Sequence, residues 1–392
     1  MLSRRWRETA PFALLCMTGI AASAIALGPG LQCVPRGITD FMDLYAGGKL
    51  AFSRELYNAA HVLKVEAATE GWFSPTRLFM RLPVFAVLFW PLAQLPYRAA
   101  SAIWEMLCIA PFAGFAVLWP STRRWAAALA CGWSLPAFMT VAEGQDIGFL
   151  LLWVALAMRL LGKNRPTGAG VVFSLCAAKF HLFLLLPIWI VANKAWRFAA
   201  GLFAGGAILM FLSFIAAGAD WPVRYYRLLT NPANNPYASV MPNLHGMVAG
   251  WPHHGMLEGA GVLLVGSAVW FAARRWNAEV GLAAVLAGGI LAAPHAYMAD
   301  CALLIPAVLI VLANTSSSGA RACGIILLTP VPYLLLMAGV AFELQALLLA
   351  FVLALVRAEG KGGACRNPGT MPIKTGAIQQ IEVRGELTGA AV

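Results

Sequence analysis

Residues 167–192 read TGAGVVFSLCAAKFHLFLLLPIWIVA, an apolar stretch with a single charge, Lys179. About 20 apolar residues are enough to cross a bilayer as a helix. A charge at membrane depth is costly unless it faces a cavity or a partner, and backbone can break there only where protein or water surrounds it. The stretch therefore predicts two short helices that meet near Lys179, inside a membrane protein.

The composition of the whole chain predicts the same fold class. Of 392 residues, 60% are hydrophobic and 11% are charged, and the mean hydropathy is +0.74. Soluble domains have about 25% charged residues. The net charge of +11 is spread in short pieces between apolar runs, so it indicates membrane topology and not a nucleic-acid-binding face. We expect an all-α polytopic membrane protein that binds membrane lipids and no nucleic acid.

The basic residues between apolar runs predict one topology. Lys and Arg accumulate in cytoplasmic loops, and one arrangement puts every basic cluster and both termini in the cytoplasm. It requires that residues 78–119 contribute one net crossing of the membrane. The proline-rich first half, 78–95, then lies at the interface or is re-entrant. We expect about 10–13 transmembrane helices. The other apolar runs are 11–27, 99–119, 125–141, 147–161, 198–217, 256–273, 280–293, 298–313, 322–340 and 342–356.

The same topology divides the chain into parts. Residues 1–356 form one multi-spanning domain with two large outer loops, 28–77 and 219–255. Residues 357–392, rich in Gly and polar residues, are expected to be a disordered cytoplasmic tail. The polar segments 143–146, 179–181 and 294–300 face outward with the loops, so most unusual polar residues converge on the outer side, where a site is expected.

The first outer loop offers two carboxylates, Asp40 and Asp43, that share one face if the segment is helical. A carboxylate shielded from water can act as a general base on a hydroxyl. Alternatively, Asp40 caps a helix from Phe41 towards Leu50, which is a common use of Asp. The local sequence leaves both interpretations open.

Lys179 is followed two residues later by His181, and both are candidates for binding a phosphate or a substrate. The desolvation of this lysine must be offset by an anion, a carboxylate or water, and a lipid phosphate suits its point charge. The alternative is that Lys179 snorkels to the interface from a helix end.

Several residues outside this stretch are candidates for binding a phosphate or a sugar. His295 and Tyr297 can donate hydrogen bonds, while Asp300 can cap a helix or pair with a cation. Arg77 and Arg81 lie just before the first proline of the proline-rich segment, and each can meet a phosphate or bulk anionic lipid. His245 lies in an outer loop of aromatics and amides, a composition that suits carbohydrate but is also typical of an interfacial belt.

Metal and nucleotide chemistry are not indicated. The eight cysteines have no CxxC or cysteine–histidine spacing, so neither a zinc site nor a redox pair is predicted. GxSxG, HExxH and Walker A motifs do not occur. We expect no cofactor and no metal.

Segments spread over residues 36–306 resemble the polyprenyl-phosphate-dependent glycosyltransferases of family 87, mannosyltransferase-like enzymes of C-type membrane architecture. Their order and spacing carry the resemblance. The matching segments are Asp40-Phe41 with Tyr45-Ala46-Gly47, Leu56-Tyr57, residues 91–96 with Trp104, Gly144-Gln145, residues 177–181, residues 241–246, and 293–295 through Asp300.

The resemblance implies an enzyme of the bacterial cytoplasmic membrane whose active site faces outward. It transfers a hexose or pentose, with mannose favoured, from a polyprenyl-phosphate-linked donor to a lipid or glycan acceptor, with inversion. Asp40 matches the base, with Asp43 as its substitute. Lys179 and His295 match segments near the donor phosphate, and Gln145 and His245 fall in matched segments.

Two departures qualify the resemblance. The family often has Pro where this chain has Phe180, and commonly Asn where it has Asp146. A transporter or flippase of lipid-linked sugars is the main alternative, since it would share the intramembrane lysine and the outer aromatics; the internal duplication typical of transporters is not evident. An inactive relative of the enzymes is the third possibility.

Overall fold

The computed structural model describes residues 2–34, 36–70, 78–120, 124–231 and 237–357. Most of these residues are helical, and there is no β-strand among them. The predicted tail after Arg357 lies outside the described residues. The α-helices are α1 (Leu2–Leu27), α2 (Phe41–Lys49), α3 (Ala59–Glu70), α4 (Pro83–Ala93), α5 (Tyr97–Leu118), α6 (Arg124–Trp133), α7 (Leu135–Ala142), α8 (Ile147–Gly162), α9 (Pro166–Ser174), α10 (Leu186–Asn193), α11 (Trp196–Ala217), α12 (Trp221–Leu229), α13 (Leu244–Val248), α14 (His254–Arg275), α15 (Ala278–Ala292), α16 (Leu304–Asn314), α17 (Ser318–Leu328), α18 (Val331–Met337) and α19 (Phe342–Arg357).

The chain is a polytopic all-α membrane protein, as predicted. By length and composition, α5, α11 and α14 can each cross a membrane. Three bent pairs of helices also pass if each pair is one span, which gives up to six. Five further apolar helices are shorter. The expected 10–13 transmembrane helices stay a prediction, because that number requires most of the shorter helices to cross as well.

Helix α15 is the centre of the molecule. Every residue from Glu279 to Ala292 is buried, as expected for a helix that is apolar on all sides. By contrast, α11 exposes large apolar side chains such as Phe203 and Phe211, which are 79% and 65% exposed and suit a lipid environment. Because α15 is buried along its length, the segment that follows it, 293–297, begins at the end of the buried core.

The predicted break near Lys179 is confirmed. Helix α9 continues into a 3-10 helix, Leu175–Phe183, in which Lys179 has φ −134° and ψ 59°. The chain then bends by 115° into α10. Gly289 of α15 packs against the carbonyl of Leu182, where any side chain would clash. The central helix therefore lies directly against the break.

The structure corrects or refines three expectations. Runs 125–141 and 322–340 are each two helices, bent by 69° and 55°. In the first, Ser134 caps α7 by accepting from the Ala137 N–H at 3.3 Å, and Pro136 next to the break has no N–H to donate. Loop 28–77 contains α2 and α3. The 11 residues of α4 extend about 16 Å, too short to cross a bilayer core of about 30 Å.

Candidate functional site

Asp40 immediately precedes α2 but does not cap it with its side chain. Its backbone N–H donates to the Glu143 carbonyl at 2.8 Å. Its carboxylate accepts a hydrogen bond from the side-chain amide of Gln145. The capping interpretation is therefore wrong, and the carboxylate is directed to the loop between α7 and α8.

Gln145 links Asp40 to Lys179. Its Oε1 accepts from Lys179 Nζ at 2.6 Å, while its Nε2 donates to Asp40. Because an ammonium only donates and a carboxylate only accepts, these neighbours fix the orientation of the amide. The turn before it is held by Gly144, with φ +66°, whose carbonyl accepts from Trp104 Nε1 at 2.6 Å.

Lys179 is buried, with 5% of its surface exposed. Its Nζ donates to Asp300 Oδ1 at 2.7 Å and lies 4.0 Å from Asp146 Oδ1. The other oxygen of Asp300 accepts from the Tyr297 backbone N–H at 2.8 Å. Lys179 therefore does not snorkel to an interface, and Asp300 fulfils both of its predicted structural roles.

Arg81 and Asp146 form a second buried ion pair. Arg81 Nε and Nη2 each donate to an Asp146 oxygen at 2.9 Å. The two side chains are 12% and 9% exposed. We call Arg81, Asp146, Lys179 and Asp300 the buried quartet; its two cations and two carboxylates balance, so its formal charge is zero.

Two tyrosines, from segments 28–77 and 219–255, hold the backbone at Arg81. Tyr57 donates from its hydroxyl to the Arg81 carbonyl at 2.7 Å, and Tyr225 of α12 donates to the Met80 carbonyl at 3.4 Å. The two tyrosine rings are 5.1 Å apart. Asp43 is close enough to Arg81 to raise its pKa, so the second predicted carboxylate lies near the quartet.

Three aromatic candidates lie beside the quartet. The rings of His181 and His295 are edge to face at 6.0 Å, and those of His295 and Tyr297 at 4.8 Å. Asp40 influences the pKa of both His295 and Tyr297. Within the described part of the chain, His181 Nε2 is buried and has no hydrogen-bond partner. A ligand that enters here can accept or donate at this nitrogen.

The ionisation of the groups outside the helices follows from burial and neighbouring charge. Burial, with a contribution from Lys179, lowers the pKa of His295 to about 4, so its imidazole is neutral at pH 7. Burial by itself would raise the pKa of Asp146, but the charges of Arg81 and Lys179 together with the hydrogen bonds to the carboxylate keep that pKa below its usual value. The site thus combines an ionised buried pair with a neutral imidazole.

Not every predicted residue joins this group. His245 Nδ1 lies 3.0 Å from Glu258 Oε2 of α14, a contact separate from the quartet. Arg77, also considered as a phosphate ligand, lies outside the described residues. Among the described residues no cluster of His, Cys, Asp or Glu could hold a metal ion.

Asp146 is the residue whose part in the site the sequence did not reveal. It stands in the polar segment 143–146, yet its partner Arg81 is 65 residues away. The signal was present as a carboxylate directly before an apolar run, since an ionised group at that position needs a partner.

Comparison with known proteins gives one match. The model of glycosyltransferase family 87 matches residues 82–299, more than half of the chain. The matched range contains Gln145, Asp146, Lys179 and His295, while Asp40 and Arg81 precede it and Asp300 follows it. No curated protein and no solved structure matches the chain.

Proposed function

The chain belongs to glycosyltransferase family 87, and from that premise we propose that it transfers a sugar from a polyprenyl-phosphate-linked donor to a lipid or glycan acceptor. The sugar is a hexose or a pentose, with mannose favoured. The reaction takes place on the outer face of the bacterial cytoplasmic membrane. Membrane-spanning helices and family membership support the setting; the orientation, the donor and the acceptor are parts of the proposal.

The observation that carries the proposal is the chain of side chains from Asp40 through Gln145 to Lys179. It joins a carboxylate at the start of α2 to a buried cation at a helix break. A glycosyl transfer from a lipid phosphate needs these two groups close together, because a hydroxyl must lose a proton while a phosphate gains charge.

In the proposed mechanism, Asp40 accepts the proton of the acceptor hydroxyl as its oxygen forms a bond to the anomeric carbon. The bond from that carbon to the phosphate oxygen breaks on the opposite face, and both electrons leave with the polyprenyl phosphate. Lys179 and the neutral His295 donate hydrogen bonds to this phosphate. One displacement of this kind inverts the anomeric configuration. Asp43 is the substitute base.

The test is a transfer assay with the purified protein in nanodiscs, using polyprenyl-phosphate mannose, glucose and arabinose in turn with a membrane lipid extract as acceptor. Release of polyprenyl phosphate is measured for the wild type, Asp40→Asn and Asp43→Asn. We expect donor-dependent release that falls by about 10²–10⁴-fold in Asp40→Asn, the usual contribution of a general base.

The matched control is Asp220→Asn, because Asp220 has a 54% exposed side chain and forms an ion pair with Arg224, four residues away. It should retain full activity. Equal activity of Asp40→Asn and wild type would refute the assignment of the base. No release from any donor would favour the transporter of lipid-linked sugars.

A further inference from the structure

Within the described part of the chain, Arg81 uses one edge of its guanidinium group. Asp146 accepts from Nε and Nη2 at 2.9 Å each. The edge formed by Nη1 and the second N–H of Nη2 donates to no acceptor among the described residues. A guanidinium left with an open edge can form a second pair of parallel hydrogen bonds with an anion.

The open edge suits a phosphate better than a single point charge does. A guanidinium is planar and presents its donors in a fixed fork that matches two oxygens of one phosphate. Arg81 is held from behind by Asp146, and its backbone is held by Tyr57. Lys179 lies 4.0 Å from the same carboxylate, so both cations of the quartet adjoin Asp146.

We propose that Asp146 is a positioning residue: it holds the edge of Arg81 formed by Nε and Nη2, so that the open edge binds the phosphate of the lipid-linked donor. This proposal rests on the proposed function and assigns Asp146 a role in it. Asp146 itself does not touch the donor.

The carboxylate is needed for this role because both of its oxygens accept. In Asp146→Asn one oxygen becomes an NH₂ group, which faces an N–H of Arg81, donor against donor. The guanidinium group must then rotate away from residue 146, so that its open edge is no longer oriented towards the phosphate. The charge effect acts in the opposite direction, since loss of Asp146 leaves the quartet with one extra positive charge that attracts phosphate more strongly. Weaker phosphate binding by Asp146→Asn therefore indicates a positioning role, whereas tighter binding indicates that Asp146 only balances charge.

The experiment measures binding of undecaprenyl phosphate to the full chain in nanodiscs, with undecaprenol as the ligand without phosphate. The variants are Asp146→Asn, Arg81→Lys and the double variant, each normalised to the folded fraction from size-exclusion chromatography. Asp220→Asn is the control that should bind like the wild type. Arg81→Lys retains the charge but not the fork, so it tests the same idea if Asp146→Asn folds poorly.

We expect each single variant to bind undecaprenyl phosphate about tenfold more weakly, which is the loss of one good charge-assisted hydrogen bond. The double variant should be no weaker than either single one, because the two residues act as a unit. In turnover, the KM for the donor should rise by a similar factor, with kcat changed less than about threefold. Undecaprenol binding should not change.

Tighter or unchanged binding in Asp146→Asn, or additive losses in the double variant, would overturn the inference. Failure of the proposed function is a separate result. A wild type that binds undecaprenyl phosphate but transfers no sugar would refute the transferase, while the weaker binding of both single variants would still support the role of Asp146.

Discussion

The pair of Lys179 and Asp300 predicts a large and specific effect on stability. Replacement of Lys179 by Met leaves the Asp300 carboxylate, 3% exposed, without the ammonium that it contacts at 2.7 Å. Removal of one partner of a buried ion pair typically costs about 3–5 kcal/mol, because the remaining charge is buried and uncompensated. At about 2 °C per kcal/mol, the lower end for large domains, Tm should fall by about 6–10 °C.

The double variant Lys179→Met/Asp300→Asn should recover more than half of that loss. It removes both charges, and the amide introduced by Asp300→Asn retains one oxygen that can accept from the Tyr297 N–H, as the Asp300 carboxylate does. Replacing both members of a buried pair by neutral groups is often close to neutral for stability. The matched control is Lys163→Met, since Lys163 is exposed at the end of α8.

The assay is thermal unfolding of the detergent-solubilised protein, followed by the folded fraction in size-exclusion chromatography after heating. Lys163→Met should have the Tm of the wild type. If Lys179→Met is as stable as Lys163→Met, the buried pair contributes nothing and the reasoning is wrong. If the double variant is as unstable as the sum of its two single variants, Lys179 and Asp300 are not coupled.

Two further predictions concern helix packing and pH. Gly201→Ala should lower Tm strongly, because its Cβ would clash with the Thr167 carbonyl of α9, whereas Gly206→Ala, with open space around its Cβ, should leave Tm unchanged; equal melting temperatures would contradict the close packing of α9 and α11. The pKa of His295 is about 4 in the folded protein and near its ordinary 6.5 when unfolded, so its neutral form adds stability above pH 6.5 that is lost as the pH falls towards 4. His295→Gln should therefore lose less stability than the wild type over that interval, and parallel Tm profiles would refute the shift.

The positions of the helices could be predicted from the sequence because apolar length controls them. The run 198–217 lies within α11, and the run 256–273 within α14. Bends were harder to predict. The charge of Lys179 indicated the break in 167–192, but the break between α6 and α7 depends on Ser134 and Pro136, which an apolar count does not register.

The members of the site were also largely predictable, since polar residues at the ends of apolar runs need partners. What each one contacts was not. Gln145 was expected to bind the donor, which stays a prediction, and the structure shows that its side chain also bridges Asp40 and Lys179. His245 was expected in the same site and contacts Glu258. Contacts of this kind depend on how the ends of different helices come together, which local pattern does not contain.

Asp146 shows how a partner changes the chemistry expected of a residue. From the sequence, Lys179 and Arg81 are two cations available to a phosphate. In the structure, Asp300 and Asp146 already balance them, so the quartet attracts an anion little by its net charge. Binding of a phosphate at this site therefore depends on hydrogen-bond donors that remain unused, above all those at the open edge of Arg81. The orientation that Asp146 gives to this edge then matters as much as the positive charge of Arg81.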